Sequence, residues 1–409
     1  MPPTPRRRLL AIAMAVAAIG LGGCDGTAPE PSGSSGPSGS SESSGAGRAA
    51  APHWRAGAAL PVDPAGAAGR VVVRDGAWCG TRWLVVGAIQ DGDETRPAVW
   101  SSPDARSWTT VPVRARSYYG KRAVLGSVAC VGDRPVAVGS RPGGAHGNPR
   151  VSTFRAQGGV WVDVPAPFEQ YGGPRAVNVG PVGAGPEGWL IAGNRTSGPA
   201  VWLARTPRSF RLVEGAPGLA NDGDEAALAS HAVWAAGAWH VVGGESAGTG
   251  RAPRAWTSAD GRAWQRDRVP SGSRLDDLRR VVAQGDALVA VGRSATGFAA
   301  WRHAGGAWTR TGAFGSRAGS GLPDVVDLEA TGEGLSVVVS DGSRYRLWTS
   351  RDGAAWREEA FPVDVRPSGD TGAAIVSSPH AMLLLVDDGR SSTVWLSADP
   401  GASGAVSGP

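Results

Sequence analysis

The sequence repeats with a period of about 49 residues, and this periodicity limits the possible folds more than any other feature. Each repeat has an aromatic residue in an apolar segment, and a second aromatic follows seven or eight residues later across a polar turn. The first positions, spaced by 54, 48, 54, 45, 47 and 47 residues, are Trp100, Phe154, Trp202, Trp256, Trp301, Trp348 and Trp395. The second positions are Trp108, Trp161, Phe210, Trp264, Trp308 and Trp356.

Two further short apolar segments precede the first aromatic of each repeat. Four strands per repeat, seven times over, predict an all-β chain folded as a seven-bladed β-propeller of four-stranded antiparallel blades. Trp395 has no second aromatic after it, whereas residues 53–61 resemble the fourth strands at 307–314 and 355–362. We therefore predict that the N-terminal strand completes the last blade and closes the ring, which removes an exposed strand edge. The propeller is assigned to residues 52–399, with a flexible tail at 400–409.

Composition supports a packed chain that does not bind nucleic acid. The 17 Trp outnumber the 6 Phe and 4 Tyr together, and all 17 fall on or beside predicted blade strands, which indicates blade packing. The net charge of +5 includes Arg6, Arg7 and Arg8. Without these three residues the chain has no basic run, so it lacks the electrostatic footprint of a nucleic-acid-binding protein.

The N-terminus has the pattern of an export signal. Three arginines precede an apolar run over residues 9–21, which is too short to span a bilayer of about 30 Å comfortably. The run ends in Leu21-Gly22-Gly23-Cys24, which resembles the lipobox of bacterial lipoproteins. The resemblance implies removal of residues 1–23 and a diacylglycerol thioether on Cys24. The alternative is an ordinary secretory signal with a coincidental cysteine.

The segment that follows supports an anchored protein. Residues 25–51 contain 17 Ser, Gly or Pro among 27, with no large apolar residue, so they are predicted to form a tether. Together with a lipid on Cys24, this places the propeller at the extracytoplasmic face of the cell membrane as a lipid-anchored monomer.

Three predicted turns between third and fourth strands share a motif of the form S-x-D-G-x-x-W. They contain Ser258, Asp260, Gly261 and Trp264; Ser350, Asp352, Gly353 and Trp356; and Ser102, Asp104 and Trp108, with Ala105 in place of Gly. The motif resembles the Asp-box, or BNR, repeat of sialidase-like propellers. Because Asp can accept backbone N–H groups within its own turn, we interpret these residues as structural. In the family such turns lie on the face opposite the active site.

Catalysis is not expected from the sequence. The sialidase resemblance implies three arginines, a tyrosine nucleophile with a glutamate base, and a Phe/Tyr-Arg-Ile-Pro motif, but that tetrapeptide is absent. A two-carboxylate glycosidase needs acids ~5–10 Å apart, which sequence cannot pair. No catalytic residue is assigned, and an exported glycan hydrolase remains the alternative to a noncatalytic binding module.

No cofactor or metal ligand is assigned either. The six His show no ligand spacing. Two acidic segments, Asp91-Gly-Asp93-Glu94 and Asp222-Gly-Asp224-Glu225, could hold Ca²⁺, but neither matches a complete EF-hand loop, and solvated turns are the preferred interpretation. Cys79 and Cys130 occupy nearly equivalent places in blades 1 and 2, so a disulfide is predicted, with two buried thiols as the alternative.

A ligand is expected on the face formed by the loops between second and third strands and between blades. Tyr beside Arg suits a glycan or a peptide, since rings stack on apolar surfaces and Arg binds acids. The candidate residues are Arg116, Tyr118, Tyr119, Lys121, Arg122, Tyr171, Arg175, Asp222, Asp224, Asp276 and Asp277. The sequence thus predicts a binding or scaffold module for a protein or a cell-surface glycan; the competing interpretation is ordinary solvated loops.

Overall fold

Seven small sheets are arranged as the blades of a propeller in the computed structural model, which describes residues 54–62, 68–143, 148–223, 225–332 and 334–398. This confirms the predicted all-β, seven-bladed fold. Helical structure in the described residues is limited to α1 (Phe168–Tyr171) and a 3-10 turn at Gly120–Arg122. No helix in these ranges is both long and apolar enough to cross a bilayer.

The first strand of each blade lines the centre of the ring, and the fourth strand lies at its outer edge. The N-terminal strand is β1 (Arg55–Ala56). Blade 1 contains β2 (Arg70–Cys79), β3 (Arg82–Asp91), β4 (Glu94–Ser102) and β5 (Thr109–Val111). Blade 2 contains β6 (Val113–Arg114), β7 (Val124–Val131), β8 (Arg134–Gly143), β9 (Asn148–Gln157) and β10 (Val160–Val164). Blade 3 contains β11 (Ala176–Gly185), β12 (Gly188–Arg195), β13 (Gly198–Ala204) and β14 (Arg211–Val213).

The remaining blades repeat this order. Blade 4 contains β15 (Ala227–Ala235), β16 (Ala238–Ala247), β17 (Gly250–Ser258) and β18 (Gln265–Asp267). Blade 5 contains β19 (Asp277–Gln284), β20 (Ala287–Arg293), β21 (Phe298–Ala304) and β22 (Ala307–Phe314). Blade 6 contains β23 (Asp324–Thr331), β24 (Gly334–Ser340), β25 (Tyr345–Ser350) and β26 (Arg357–Glu359). Blade 7 contains β27 (Gly372–Ser377), β28 (Ala381–Asp387) and β29 (Ser392–Ala398).

Blade 7 takes its fourth strand from the N-terminus, as predicted. Strand β1 pairs antiparallel with β29, with Arg55 opposite Leu396 and Ala56 opposite Trp395. The turns joining first to second and third to fourth strands define one face of the ring, here called the turn face. The opposite face, with the second-to-third-strand loops and the blade-to-blade linkers, is called the loop face. Strand β1 runs from the turn face toward the loop face.

The core lies between neighbouring blades, and tryptophan fills much of it. Trp100, Trp202 and Trp301 are fully buried in the third strands of blades 1, 3 and 5. Their indole N–H groups donate to linker carbonyls that precede the same blades: Pro61 at 2.8 Å, Gln170 at 2.6 Å and Pro270 at 2.8 Å. Each ring therefore ties a blade to the linker that enters it, in addition to burying apolar surface.

The first strands of blades 1 to 6 each contain a register shift. The shifts fall between Val73 and Asp75, Leu125 and Ser127, Val179 and Val182, Ala229 and His231, Leu278 and Arg280, and Val325 and Asp327. A β-bulge brings its backbone close to the neighbouring strand. A Cβ at Gly87, Gly243 or Gly292, on the second strand, would overlap a first-strand carbonyl oxygen. Steric exclusion thus explains why these second strands have glycine opposite the bulge.

Candidate functional site

A groove between blades 2 and 3 opens on the loop face and has a volume of about 440 Å³. It is bounded by the loop-face ends of β8, β9 and β11, and by the residues that follow α1. Polar groups in its wall include Arg150, Tyr171 and Asn178, and Arg280 reaches it from the central channel. We call this space the blade 2–3 groove; its volume lies within the ~300–1,000 Å³ typical of ligand sites.

Exposed aromatic rings held by arginines stand beside this groove. Tyr118 and Tyr119 pack edge to face with ring centroids 5.0 Å apart. The Arg122 guanidinium lies 4.7 Å from the centroid of Tyr118, and that of Arg150 lies 4.9 Å from the centroid of Phe168. Tyr118 is 66% exposed and Phe168 55% exposed. The cations orient the rings while leaving ring surface open to solvent.

The large hydrophobic side chains that are exposed among the described residues all lie on the loop face. The large hydrophobic residues that remain exposed are Tyr118, Phe168, Val177, Leu228, Leu275 and Leu322. Each belongs to a blade-to-blade linker or to the first two residues of an innermost strand. Since isolated exposed apolar residues are ordinary but their clustering on one face is not, this face is the candidate interaction surface.

Tyr171 belongs to the groove wall but is not poised as a nucleophile. Its ring is buried and lies 6.0 Å from that of Trp202, and its hydroxyl is 3.4 Å from Oγ1 of Thr153. Burial raises the pKa of Tyr171 to about 12, so the hydroxyl stays protonated at neutral pH.

The central channel is a second polar cavity, of about 240 Å³, lined by the first strands of all seven blades. Its ionisable side chains are Arg74, Asp75, His231, Arg280, Asp327 and Glu329. Four of these follow a bulge directly, because the extra residue of the bulge turns the next side chain toward the channel. None of these residues is predicted as a site residue from the sequence. A polar residue within an otherwise apolar first strand, as in Val-Asp-Leu-Glu at 326–329, was the available signal.

The two channel aspartates bind backbone groups with both carboxylate oxygens. Asp75 accepts the N–H groups of Gly76 and of Val128 in blade 2, each at 2.8 Å. Asp327 accepts those of Leu328 and of Ile375 in blade 7, each at 2.9 Å. Ser127 and His231 use one atom in the same way, accepting from Val182 at 3.1 Å and Val281 at 3.4 Å. These side chains therefore connect neighbouring blades by hydrogen bonds.

Burial dominates the electrostatics of the channel. Burial raises the pKa of Asp75 to about 7, and the nearby Asp327 carboxylate adds to the rise. Burial also raises the pKa of Asp327, and it raises that of Glu329 well above its usual range. Burial, with the Arg280 charge as a smaller cause, lowers the pKa of His231 to about 3. The imidazole is therefore neutral, which agrees with its Nδ1 accepting an N–H group.

Arginines near the loop-face mouth of the channel are paired with carboxylates of the protein. Arg70 and Arg74 bind Asp387 at 2.5 and 2.6 Å, and the Asp387 side chain has no exposed surface. Arg279 binds Asp324 at 2.7 Å. Arginines held in this way fix the ends of the strands, and they are not free to grip a substrate carboxylate.

The other residues predicted for the ligand face are dispersed. Arg175 binds Glu214 at 2.6 Å, and Asp222 lies 3.6 Å from Arg266. Lys121 lines a separate groove beside blade 1. The backbone N–H of Arg116 donates to Asp163 at 2.8 Å. Asp224 lies outside the described residues.

Asp276 and Asp277 occupy buried positions, which the sequence pattern did not reveal. Asp276 accepts the N–H groups of Gly272 at 2.7 Å and Ser273 at 3.1 Å, and it pairs with Arg310. Asp277 pairs with Arg293 and Arg251. Both carboxylates therefore hold the linker into blade 5 and are not offered to a ligand.

The S-x-D-G-x-x-W turns lie on the turn face, away from the blade 2–3 groove. In blade 4, Asp260 accepts the N–H groups of Arg262 at 2.8 Å and Ala263 at 3.0 Å, and Ser258 accepts that of Gly261. Hydrogen bonds within the turn lower the pKa of Asp260. The turns at Asp104 and Asp352 repeat this pattern, and Ala105 adopts the positive φ of 59° that Gly takes elsewhere.

Cysteine and metal chemistry add no reactive centre among the residues that the structure describes. Cys79 and Cys130, at the turn-face ends of β2 and β7, form a disulfide with Cα atoms 5.5 Å apart. No group of three or more His, Cys, Asp or Glu in the described ranges is arranged to hold a metal ion. Cys24 lies outside those ranges.

Comparison with solved structures finds similar chains at low sequence identity. A Trypanosoma rangeli sialidase bound to the inhibitor DANA is 13% identical, with a TM-score of 0.40 over 81% of this chain and 56% of that chain. A protein from Lactobacillus plantarum is 12% identical, with a TM-score of 0.48 over 75% and 92%. The GH32 beta-fructofuranosidase of Bombyx mori is 10% identical, with a TM-score of 0.36 over 85% and 91%.

These likenesses do not assign an activity. This chain spans little more than half the length of the trypanosomal sialidase it matches. No protein-family model matches the sequence. No curated protein matches it either. At such identities the likeness concerns architecture alone, and a propeller supports many unrelated functions.

Proposed function

We propose that this protein is a noncatalytic, lipid-anchored binding module that takes a cell-surface glycan at the blade 2–3 groove. The observation that carries the proposal is the pair of half-exposed rings, Tyr118 and Phe168, each held by an arginine beside an open cavity. Rings with accessible faces stack on the apolar faces of sugars, and nearby arginine and asparagine groups bind hydroxyl or acidic substituents.

The entry point of the chain is compatible with this role. Trp54 precedes β1 at the turn face, so the described chain enters the ring on the face opposite the blade 2–3 groove. Anchoring predicts that Cys24→Ala moves the protein from the membrane fraction to the soluble fraction; retention of this variant at the membrane would contradict a lipid anchor.

A glycan hydrolase is the second candidate, favoured by one observation. Asp75 has a pKa raised to about 7, which is the range a general acid needs near neutral pH. Its two oxygens, however, accept backbone N–H groups of blades 1 and 2, which indicates a structural role for this carboxylate. Turnover of fluorogenic glycosides that disappears in Asp75→Asn would support the hydrolase and overturn the noncatalytic proposal.

The binding proposal is tested on a glycan array with the full-length protein in detergent micelles. Phe168→Ala should weaken binding of the retained glycan about tenfold, equivalent to ~1.4 kcal/mol. Leu322→Ala is the matched control, because Leu322 is 81% exposed on the same face at the linker between blades 5 and 6. Equal binding by both variants, or no retained glycan, would contradict the assignment of this groove.

A further inference from the structure

In blade 1, as in blades 3, 4 and 6, the fourth strand pairs with only three residues of the third strand, and beside blade 1 a second groove opens next to the unpaired part. Strand β4 is nine residues long, but β5 pairs only with Val99, Trp100 and Ser101. After β5 the chain crosses to blade 2, where β6 pairs in parallel with β10 and the Pro112 carbonyl accepts the N–H of Trp161 at 2.8 Å. Strand β6, which follows blade 1 in the chain, thus becomes the outermost of five strands in blade 2.

The loop-face half of β4 is consequently left without an outer partner strand. Residues 95–98 are half-buried, whereas the corresponding residues 198–200 of β13 in blade 3 are fully buried. A strand edge of this kind presents backbone groups that another chain can pair with. Pro97 lies in this unpaired stretch and has no N–H, so a chain lying along this edge receives no hydrogen bond from residue 97.

A groove of about 410 Å³ adjoins this edge, and its wall contains three cations. They are Arg96, Arg114 and Lys121, and no carboxylate among the described residues lines the same space. Nη2 of Arg96 is buried and has no hydrogen-bond partner in the described structure. A buried donor left unpaired costs free energy, so a ligand that accepts from it would be favoured.

Nearby acids are already engaged and do not neutralise these cations. Glu94 binds Arg122 at 2.8 Å and lies 3.7 Å from Arg141. The carboxylate of Asp163 accepts the backbone N–H groups of Arg116 and Ser117. The groove therefore has a net positive wall, which selects a carboxylate-bearing ligand.

The floor distinguishes a peptide from a sugar. Half-buried Val111 and Val113 supply aliphatic surface, whereas Ile89 and Val99 are buried beneath it. Trp100 is fully buried, so its ring face is not available for stacking on a sugar. We propose that this space, the blade 1 groove, binds an extended acidic peptide segment of a partner protein. Alternate side chains of the peptide contact the aliphatic floor, its carboxylates pair with the three cations, and its backbone lies along β4.

Lys121 makes the proposal directly testable, because it is the single lysine of the chain. The probe is an N-acetylated, fluorescein-labelled peptide of alternating valine and glutamate, with a valine–glutamine peptide as its uncharged match. Full-length protein in detergent micelles is titrated with each by fluorescence anisotropy. Carbodiimide then couples bound carboxylates to the lysine amine, and mass spectrometry locates the cross-link.

The expected results are binding of the acidic peptide alone, a cross-link at Lys121, and at least tenfold weaker binding by Arg96→Gln. Arg82→Gln, an exposed turn-face substitution, should bind as the wild type does. If Arg96→Gln does not fold, the exposed pair Arg114→Gln and Lys121→Gln serves instead. Equal binding of both peptides, a cross-link-free complex, or binding of a polyuronate but not the peptide would overturn the proposal.

The binding proposals for the two grooves can be tested independently. Phe168→Ala should leave peptide affinity unchanged, since Phe168 does not line the blade 1 groove. Arg96→Gln should leave glycan retention unchanged for the same reason. If no glycan is bound while the acidic peptide is bound, only the proposed function is contradicted.

Discussion

The central channel and the blade 1 groove both contain charged side chains, but they use them differently. In the channel, both oxygens of Asp75 and both of Asp327 accept backbone N–H groups, and each aspartate reaches the next blade. In the groove, Arg96 has a buried nitrogen with no partner among the described residues. Charge and cavity occur in both places, and the blade 1 groove adds a cation with unused hydrogen-bonding capacity.

This difference predicts which substitutions should lower stability and which should lower binding affinity. Channel side chains accept hydrogen bonds from backbone N–H groups of the neighbouring blades, so substitutions there should destabilise the ring. Exposed side chains of the two grooves contact few buried groups, so substitutions there should change affinity with little effect on folding.

Gly292→Ala should destabilise the protein by about 4 kcal/mol or more, because its Cβ would overlap the carbonyl of Asp277 beside the blade 5 bulge. Urea unfolding measures the loss. Gly126→Ala is the control at the blade 2 bulge, where a Cβ would meet no atom within 4 Å. Similar losses in the two variants would show that steric exclusion is not the cause.

Ser127→Ala should cost about 1–3 kcal/mol, since it leaves the buried N–H of Val182 in blade 3 without its acceptor. The free energy of unfolding is compared with that of Ser209→Ala, an exposed serine on the turn face. A loss of unfolding free energy no larger than that of the control would mean that Ser127 does not stabilise the contact between blades 2 and 3.

Asp75 should make the free energy of unfolding fall as pH rises. Its folded pKa, about 7, lies above the ordinary 3.8, so its contribution is complete below about pH 4 and lost as pH approaches 7. The slope from this group is at most ~1.4 kcal/mol per pH unit. Asp75→Asn should flatten the difference between pH 4 and pH 7; an unchanged slope would assign the effect to other groups.

Arg150→Ala should have the smallest effect on folding, within about 0.5 kcal/mol, and yet weaken glycan retention. Arg150 contacts the rings of Phe168 and Tyr119 at the blade 2–3 groove. Thermal unfolding and array binding of the same preparation separate the two effects. A variant that loses stability and binding together would break the division between channel and groove.

Much of the architecture followed from aromatic periodicity. The spacing of Trp100, Phe154 and their successors predicted seven blades, and the unmatched Trp395 predicted closure by the N-terminal strand, which the pairing of Ala56 with Trp395 confirms. These inferences succeed because each blade repeats the same local problem: a short amphipathic sheet must bury one ring against its neighbour.

The candidate sites were harder to predict. Tyr118, Tyr119 and Arg122 were recognised as a cluster of rings and cations, but Arg150 and Phe168, which complete it, lie 28 and 46 residues after Arg122. Asp276 and Asp277 looked like exposed linker acids, and the structure buries them against Arg310 and Arg293. Sequence adjacency does not report which of two neighbouring charges will face a partner from another strand.

The sequence by itself determined the blade number, the order of strands and the position of ring closure, because these depend on periodic patterns of apolar residues. Only the tertiary structure decided which polar groups are hydrogen-bonded within the protein and which are left without a partner. Asp75 meets Val128 some 53 residues away, and Arg96 meets no hydrogen-bond partner for its buried nitrogen among the described residues. Both outcomes depend on how one blade packs against the next, which no local pattern encodes.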